Sequence, residues 1–251
     1  LVYFPWKKHL SRILPRKEFT ELLFDRNRFK ITAEEQEKLL ALSIGIVGLS
    51  VGSEVARVLV HQGIGSKFFL YDEDCIELHN LNRVRGSITE LGMNKAVLTA
   101  RYMLEVNPYL KVFASPNHLT AGNLDDFIQN DGSNGIEKSK LDFVVDECDS
   151  FDIKFRLRFK CREHKVPLLM ATSEKGLIDV ERFDLEPTRP IFHGLMSEKE
   201  VQNIIYSNND NDTKLELGSK ILDISLLSSE FKASLIEMGH KLTTWPQLSS
   251  D

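Results

Sequence analysis

Short apolar runs alternate with stretches of helical periodicity from Ser43 onward. The runs have the length of strands, and the segments between them have the length of crossover helices. Such alternation is typical of βα units whose strands form a parallel sheet. The pattern predicts an α/β fold with a doubly wound, mostly parallel Rossmann-like sheet. The predicted strands cover residues 44–47, 68–71, 110–114, 141–145 and 167–170.

Apolar residues recur at helical spacing in the segments between these strands. Thr32, with Glu35 three residues later, is typical of a capping box and predicts that a helix begins ahead of the first strand. The predicted helices cover residues 33–42, 52–62, 94–106, 124–128 and 149–164.

The pattern changes after Thr172. Residues 177–183 predict a further strand, and the proline-interrupted segment 186–190 leaves the sheet. Two amphipathic helices are then predicted, at residues 197–206 and 228–240. The C-terminal part of the chain therefore does not continue the βα alternation.

The changes of pattern divide the chain into three parts. We expect an N-terminal extension at residues 1–32, a central domain at 33–194 and a helical C-terminal extension at 195–251. Within the last part, the acidic, asparagine-rich stretch 208–213 predicts a mobile loop. A tail that contains Trp245 and Pro246 ends the sequence.

Composition narrows the class of protein. No apolar run approaches the about 20 residues that span a bilayer, so a cytoplasmic protein is expected. Cys75, Cys148 and Cys161 are odd in number and lack paired spacing, which argues against a disulfide framework or a structural zinc site. Cys161 is expected in the core. Because the chain begins with Leu1 and has no signal-peptide pattern, we expect it to be trimmed or part of a longer protein.

The charge balance argues against a general nucleic-acid binder, because the net charge is −5 and such binders neutralise phosphates with Lys and Arg. Two segments nevertheless are locally rich in positively charged residues. Residues 1–30 carry eight Lys or Arg against three acidic residues, and residues 154–165 are also rich in Lys and Arg. We interpret both as solvated faces of amphipathic helices.

A glycine-bearing loop follows the first predicted strand and begins a helix. Gly48, Ser50 and Gly52 lie in this loop, where backbone N–H groups at a helix N-terminus bind anions and glycines let a phosphate approach. Asp72 ends the next strand, 24 residues after Gly48, where Rossmann sheets place a carboxylate against ribose hydroxyls. Together they predict a bound nucleotide, and they leave NAD and ATP equally open.

Further motifs in the sequence resemble those of one known protein family. The run 71–83, YDEDCIELHNLNR, resembles the "D-x-D-x-V-x-x-S-N-L-x-R" segment of the ThiF/MoeB superfamily, which includes ubiquitin-activating-type enzymes. Residues 92–96 are similar to its "G-x-x-K-A", and residues 144–150 to its "V-x-D-x-x-D-N". The order agrees over about residues 26–172. Residues 182–194 resemble bacterial ThiF-like domains that are joined to a nitroreductase-like domain.

The resemblance implies an ATP- and Mg²⁺-dependent adenylyltransferase that activates a carboxylate, on a small acid or a carrier-protein C-terminus, and acts as a homodimer. Asp72 could also only cap a turn, and Asp149 could only cap a helix. The implied roles are ribose binding for Asp72, phosphate contacts for Arg83 and Lys95, Mg²⁺ binding for Asp149, pocket lining for Asn80, and entry of Arg26 or Arg28 into the partner subunit's site.

Departures from the family pattern keep other functions open. Ser50 and Val51 stand where glycines are usual, and the loop is one residue shorter. No cysteine follows Cys161, so a thioester step on a later cysteine is not available within this chain. One alternative is a non-catalytic nucleotide-binding or dimerisation module that serves a redox domain. A second is a tRNA-modifying, dehydratase-like relative, which the basic N-terminal segment favours.

Overall fold

The computed structural model describes residues 1–171, 178–205, 220 and 228–237. Strands and helices alternate through most of this part. The strands are Val2–Phe4 (β1), His9–Ser11 (β2), Ser43–Val47 (β3), Lys67–Tyr71 (β4), Lys111–Ser115 (β5), Phe143–Asp146 (β6), Leu168–Ala171 (β7) and Ile178–Glu181 (β8). The α-helices are Arg16–Leu23 (α1), Ala33–Leu40 (α2), Val51–Gln62 (α3), Lys95–Val106 (α4), Leu124–Gln129 (α5), Phe151–Glu163 (α6), Glu198–Ile205 (α7) and Ser229–Glu237 (α8).

Six strands form one sheet in the order β5-β4-β3-β6-β7-β8. Neighbouring strands are parallel except β7 and β8, which are antiparallel. The chain order reverses between β3 and β6, so the carboxyl ends of these two strands flank a crevice at the switch point. The predicted doubly wound, mostly parallel α/β fold is confirmed, with strand limits displaced by one or two residues.

Both faces of the sheet are covered by helices. In β4, Phe68 and Leu70 pack in a cluster with residues of α3 and α4, whereas Phe69 packs in a second cluster with residues of α5 and α6. All five residues of β3 are buried. A strand that is covered on both sides needs apolar side chains at successive positions, because alternate residues point to opposite faces.

The first 42 residues pack beside the sheet. The Trp6 indole N–H and the Lys7 ammonium contact the Glu105 carboxylate of α4, each at 2.5 Å. The predicted capping box is present at the start of α2, where the Glu35 N–H donates to Thr32 Oγ1 and the Glu35 carboxylate accepts from the Thr32 N–H. Helix α2 ends at Leu40, two residues earlier than predicted.

The C-terminal predictions are met where the structure describes the chain. Helices α7 and α8 fall within predicted residues 197–206 and 228–240. The predicted strand 177–183 is observed as β8. The predicted loop 208–213 and the tail with Trp245 and Pro246 lie outside the described residues. Among the described helices, none has both the length and the apolar character to cross a bilayer.

Candidate functional site

A cleft opens where the carboxyl ends of β3, β4, β5 and β6 meet. It holds about 650 Å³ of space, counting the part that is open to solvent. Each strand end, or the segment directly after it, contributes to its wall, as expected for the ligand crevice of a doubly wound sheet. The wall residues are Val47, Gly48, Ser50, Tyr71, Asp72, Glu73, Asp74, Lys95, Asn117, His118, Leu119, Glu147, Cys148, Asp149, Ser150 and Ile153.

The glycines of the loop are required by close packing. Gly48 has a φ of +84°, and a Cβ there would lie 2.4 Å from the Glu147 carbonyl oxygen. Gly52 is buried and is not among the residues of the cleft wall. A Cβ there would lie 2.9 Å from Ile46 Cγ2. The space beside Gly52 is therefore filled by Ile46, and a nucleotide contact at Gly52 stays a prediction.

The start of α3 faces the cleft and suits an anion. Ser50 lies just before this helix, and its buried hydroxyl has no hydrogen-bond partner among the described residues. The first N–H groups of a helix also lack intrahelical acceptors and carry partial positive charge. The loop therefore offers a hydroxyl and backbone donors to a phosphate, although it is shorter than the family pattern.

Asp72 connects the loop to the end of β4. Its Oδ2 accepts from the Leu49 N–H at 2.5 Å, and its Oδ1 accepts from the Asp74 N–H at 2.8 Å. Burial raises the pKa of Asp72, although these two bonds and the nearby Lys95 oppose the rise. The carboxylate thus caps a turn and also lines the cleft, and ribose binding by Asp72 stays a prediction.

Lys95 is the first residue of α4, and Asn94 caps that helix. The lysine side chain is only 8% exposed, and its Nζ lies 2.8 Å from Asp74 Oδ2. Opposite charges at this distance attract strongly in a partly buried site. Lys95 is therefore held in the cleft wall by an acidic neighbour, in the same wall as Gly48, Ser50 and Asp72.

Asn80 and Arg83 lie outside the cleft wall. Asn80 is buried, and its Oδ1 accepts from the Glu77 N–H at 2.9 Å, so it supports a turn instead of lining the cleft as expected. Arg83 donates through Nη1 to the His79 carbonyl oxygen at 3.1 Å. Its Nε is buried with no hydrogen-bond partner among the described residues, so this guanidinium retains an unused donor.

The turn after β6 brings Asp149 into the cleft wall. Ser150, and not Asp149, caps α6, because its hydroxyl accepts from the Ile153 N–H at 3.4 Å. The interpretation of Asp149 as a helix cap is therefore wrong. Its exposed carboxylate fits Mg²⁺, which typically takes one or two protein carboxylates together with substrate phosphates.

Sequence reasoning missed Glu147 in the same turn, because the motif leaves that position open. Its Oε1 accepts from the Ala171 N–H at 2.8 Å, and burial raises its pKa to about 7. The neighbouring Cys148 thiol donates to Asp146 Oδ1 at 3.0 Å. Burial raises the pKa of Cys148 well above its ordinary value, so this thiol is a poor nucleophile.

Lys154 and Arg158 of α6 form ion pairs with Asp146, the last residue of β6 before this turn. The carboxylate of Asp146 contacts Lys154 Nζ at 3.2 Å and Arg158 Nη1 at 2.6 Å. Burial disfavours the charged form of Asp146, but Lys154 and Arg158 hold its pKa below the ordinary value. The interpretation of residues 154–165 as a solvated face is thus wrong for these two cations, since Arg158 is fully buried.

Arg26 and Arg28 are exposed and do not line this cleft. Arg28 pairs with Asp25 of its own chain at 2.8 Å. Cys161 lies in the core with no exposed surface, as expected. Among the described residues of the cleft wall are one lysine, Lys95, and five residues with carboxyl groups, which are Asp72, Glu73, Asp74, Glu147 and Asp149.

Comparison with known proteins places this geometry in context. The model of the ThiF family matches residues 24–215. The protein MT1398 of Mycobacterium tuberculosis (strain CDC 1551 / Oshkosh) is 43% identical over 249 residues, which are 99% of this chain and 33% of that protein. Ubiquitin-like modifier-activating enzyme 5 of Drosophila willistoni is 29% identical over 136 residues, 53% of this chain and 33% of that enzyme. This chain thus spans about a third of either relative.

A tRNA-modifying enzyme is also similar. The tRNA threonylcarbamoyladenosine dehydratase of Bacillus subtilis (strain 168) is 26% identical over 164 residues, 64% of this chain and 61% of the enzyme. The E. coli tRNA N6-threonylcarbamoyladenosine dehydratase, solved in complex with ATP, superposes with a TM-score of 0.55. Its identity is 22%, and the match covers 66% of this chain and 65% of that chain, so this likeness supports the fold.

Proposed function

This chain belongs to the ThiF family, and on that premise we propose that it is an ATP-dependent adenylyltransferase which activates a substrate carboxylate. A carboxylate oxygen attacks the α-phosphorus of ATP, the bond from that phosphorus to the bridging oxygen breaks, and pyrophosphate leaves with its electron pair. The products are an acyl-adenylate and pyrophosphate. The chain supplies positioning and charge stabilisation, which account for most catalysis in such transfers.

One observation carries the proposal: a single cleft at the sheet switch point brings together the start of α3, Asp72, Lys95 and Asp149. Those four features are a phosphate cradle, a ribose acceptor, a phosphate cation and a metal ligand. The unpartnered Ser50 hydroxyl adds a donor beside the phosphates. We assign ribose binding to Asp72, phosphate contacts to Ser50 and Lys95, and Mg²⁺ binding to Asp149.

The acidic wall makes further positive charge necessary. ATP brings several negative charges to a cleft whose described wall residues include one lysine, Lys95, and five residues with carboxyl groups. When bound, Mg²⁺ would neutralise part of the phosphate charge. We assign a further contribution to Arg83, which has an unused buried donor. In a homodimer, Arg26 or Arg28 of the partner subunit would add another cation.

The proposed cellular setting follows from the thiols and from the relatives. Cys75, Cys148 and Cys161 are unpaired in the structure, which suits a reducing cytoplasm. We place the nucleotide-binding domain at residues 33–194, between N- and C-terminal extensions. Because the chain spans about a third of MT1398, attachment to a further domain, such as a nitroreductase-like one, is part of this proposal.

ATP–pyrophosphate exchange tests the proposal. The wild-type chain is incubated with ATP, Mg²⁺, labelled pyrophosphate and candidate acids, and we expect label to enter ATP in the presence of the correct acid. Asp72→Ala and Lys95→Ala should abolish exchange, whereas Glu163→Ala, which changes an exposed carboxylate outside the cleft, should not. Exchange that survives both cleft substitutions would remove the site assignment.

Two alternatives each have a supporting observation. The short glycine loop and the lack of a cysteine after Cys161 favour a non-catalytic nucleotide-binding module. ATP binding without exchange on any acid would support that module.

The similarity to the Bacillus subtilis dehydratase favours a tRNA-modifying relative. That alternative predicts tRNA affinity that falls steeply with salt, and lack of such affinity would exclude it.

A further inference from the structure

Glu147 contacts three different elements at the edge of the cleft. Its backbone N–H donates to the Val47 carbonyl oxygen at the end of β3, at 2.8 Å. Its carbonyl group lies so close to Gly48 that no Cβ fits between them. Its Oε1 accepts from the Ala171 N–H at the end of β7, at 2.8 Å. One residue therefore joins the glycine loop to two strand ends.

The side chain of Glu147 also lies beneath the second glycine of the loop. A Cβ at Gly52 would be in van der Waals contact with Glu147 Cγ, at 3.6 Å. The Glu147 stem thus supports the first turn of α3, while its carboxyl group reaches Ala171. A change in the length or direction of this side chain would alter the support under the loop.

The bond to Ala171 lies beyond the regular strand pairing. Strands β6 and β7 are paired at Val144 with Leu168 and at Val145 with Leu169. The Glu147 side chain bonds to Ala171, two residues farther along β7, where the cleft opens. The Glu147 side chain therefore connects the two strand ends beyond the last residues that are paired between β6 and β7.

We propose that Glu147 is a positioning residue for the nucleotide, which fixes the glycine loop relative to the end of β7 through its bond to Ala171. This inference rests on the proposed nucleotide-binding function. The residue acts through its packing against Gly48 and Gly52, which sets the position of the start of α3. The start of α3 is the part of the loop that presents backbone donors to the phosphates. The acceptor oxygen of Glu147 is the functional atom, and its negative charge is not needed.

Three substitutions separate these features. Glu147→Gln keeps the length and an acceptor oxygen and removes the charge; Glu147→Met keeps the length and removes the acceptor; Glu147→Ala removes both. The matched control is Glu163→Ala, at an exposed carboxylate that pairs with Lys160. Calorimetric titration with Mg²⁺–ATP gives the dissociation constant, and amide hydrogen exchange reports the Ala171 N–H without reference to activity.

We expect Glu147→Gln and Glu163→Ala to bind Mg²⁺–ATP like the wild type. Glu147→Met and Glu147→Ala should bind about tenfold more weakly, the scale of one lost hydrogen bond, and their Ala171 amide should exchange faster. If Glu147→Met does not fold, the Glu147→Ala variant carries the comparison.

Wild-type affinity in Glu147→Met or Glu147→Ala would overturn the inference and leave the proposed function intact. Equal loss in Glu147→Gln and Glu147→Ala would also overturn it, because the charge would then be the recognised feature. A wild-type chain that does not bind Mg²⁺–ATP would refute the proposed function and this inference together.

Discussion

Arg158 Nη1 lies 2.6 Å from Asp146 Oδ2, and both side chains are completely buried. The same guanidinium lies 2.7 Å from Glu181 Oε2 and 3.9 Å from the centroid of the Phe192 ring. Asp146 ends β6 directly before the turn that lines the cleft, whereas Glu181 ends β8. Arg158 therefore ties the cleft wall to the antiparallel edge of the sheet through charges inside the core.

Replacement of Arg158 by methionine should be strongly destabilising. It would leave the carboxylates of Asp146 and Glu181 buried without this cation, and breaking a buried ion pair costs about 3–5 kcal/mol. Urea unfolding measures the loss. Arg156→Met is the control on the same helix, because Arg156 pairs with Asp152 near the surface, an interaction worth at most about 1 kcal/mol. Equal losses would contradict the prediction.

The substitution Gly48→Ala should destabilise the folded chain more than the substitution Gly92→Ala. Both glycines have a positive φ, +84° and +81°, so each alanine would have similar backbone strain, about 1–2 kcal/mol. The space differs: a Cβ at Gly92 meets nothing within 4 Å, whereas one at Gly48 would lie 2.4 Å from the Glu147 carbonyl oxygen. Thermal unfolding of the two variants isolates the steric part, and similar melting temperatures would refute it.

The sheet could be predicted from the sequence because its strands are covered on both faces. Residues 44–47 and 68–71 therefore read as continuous apolar runs, and these runs became β3 and β4 almost unchanged. The capping box of Thr32 and Glu35 was equally readable, since it depends on a spacing of three residues. Local sequence patterns were sufficient to predict an element where its interactions are local or where it is completely buried.

The charged core could not be predicted in this way. A cationic stretch such as residues 154–165 looks the same in sequence whether it faces water or buried carboxylates. The partners of Arg158 are Asp146, 12 residues earlier, and Glu181, on a later strand, and only the sheet topology brings them together. The contact of Glu147 with Ala171 could not be predicted for the same reason, because the pairing of β6 and β7 brings Ala171 near.

The capping box at the start of α2 offers a smaller, local test. Thr32→Ala removes the acceptor of the Glu35 N–H and should lower the free energy of unfolding by about 1 kcal/mol. Thr32→Ser keeps the hydroxyl and should restore most of the loss. Urea unfolding of both variants checks this, and a serine variant as unstable as the alanine variant would show that the hydroxyl is not the stabilising group.

The stability of the chain should depend on pH through Glu147. Its pKa is about 7 when folded and near 4.5 when exposed, so between these values the unfolded chain has released a proton that the folded chain keeps. Rising pH therefore favours unfolding across this window and has no further effect through this group above it. The loss is at most about 3–4 kcal/mol, because the pKa difference of about 2.5 is multiplied by about 1.4 kcal/mol. Glu147→Gln has no such proton, so its advantage over the wild type in urea unfolding with a metal chelator should grow between pH 5 and 7.5. Parallel pH profiles would mean that the carboxyl group is already charged in the folded chain at pH 5.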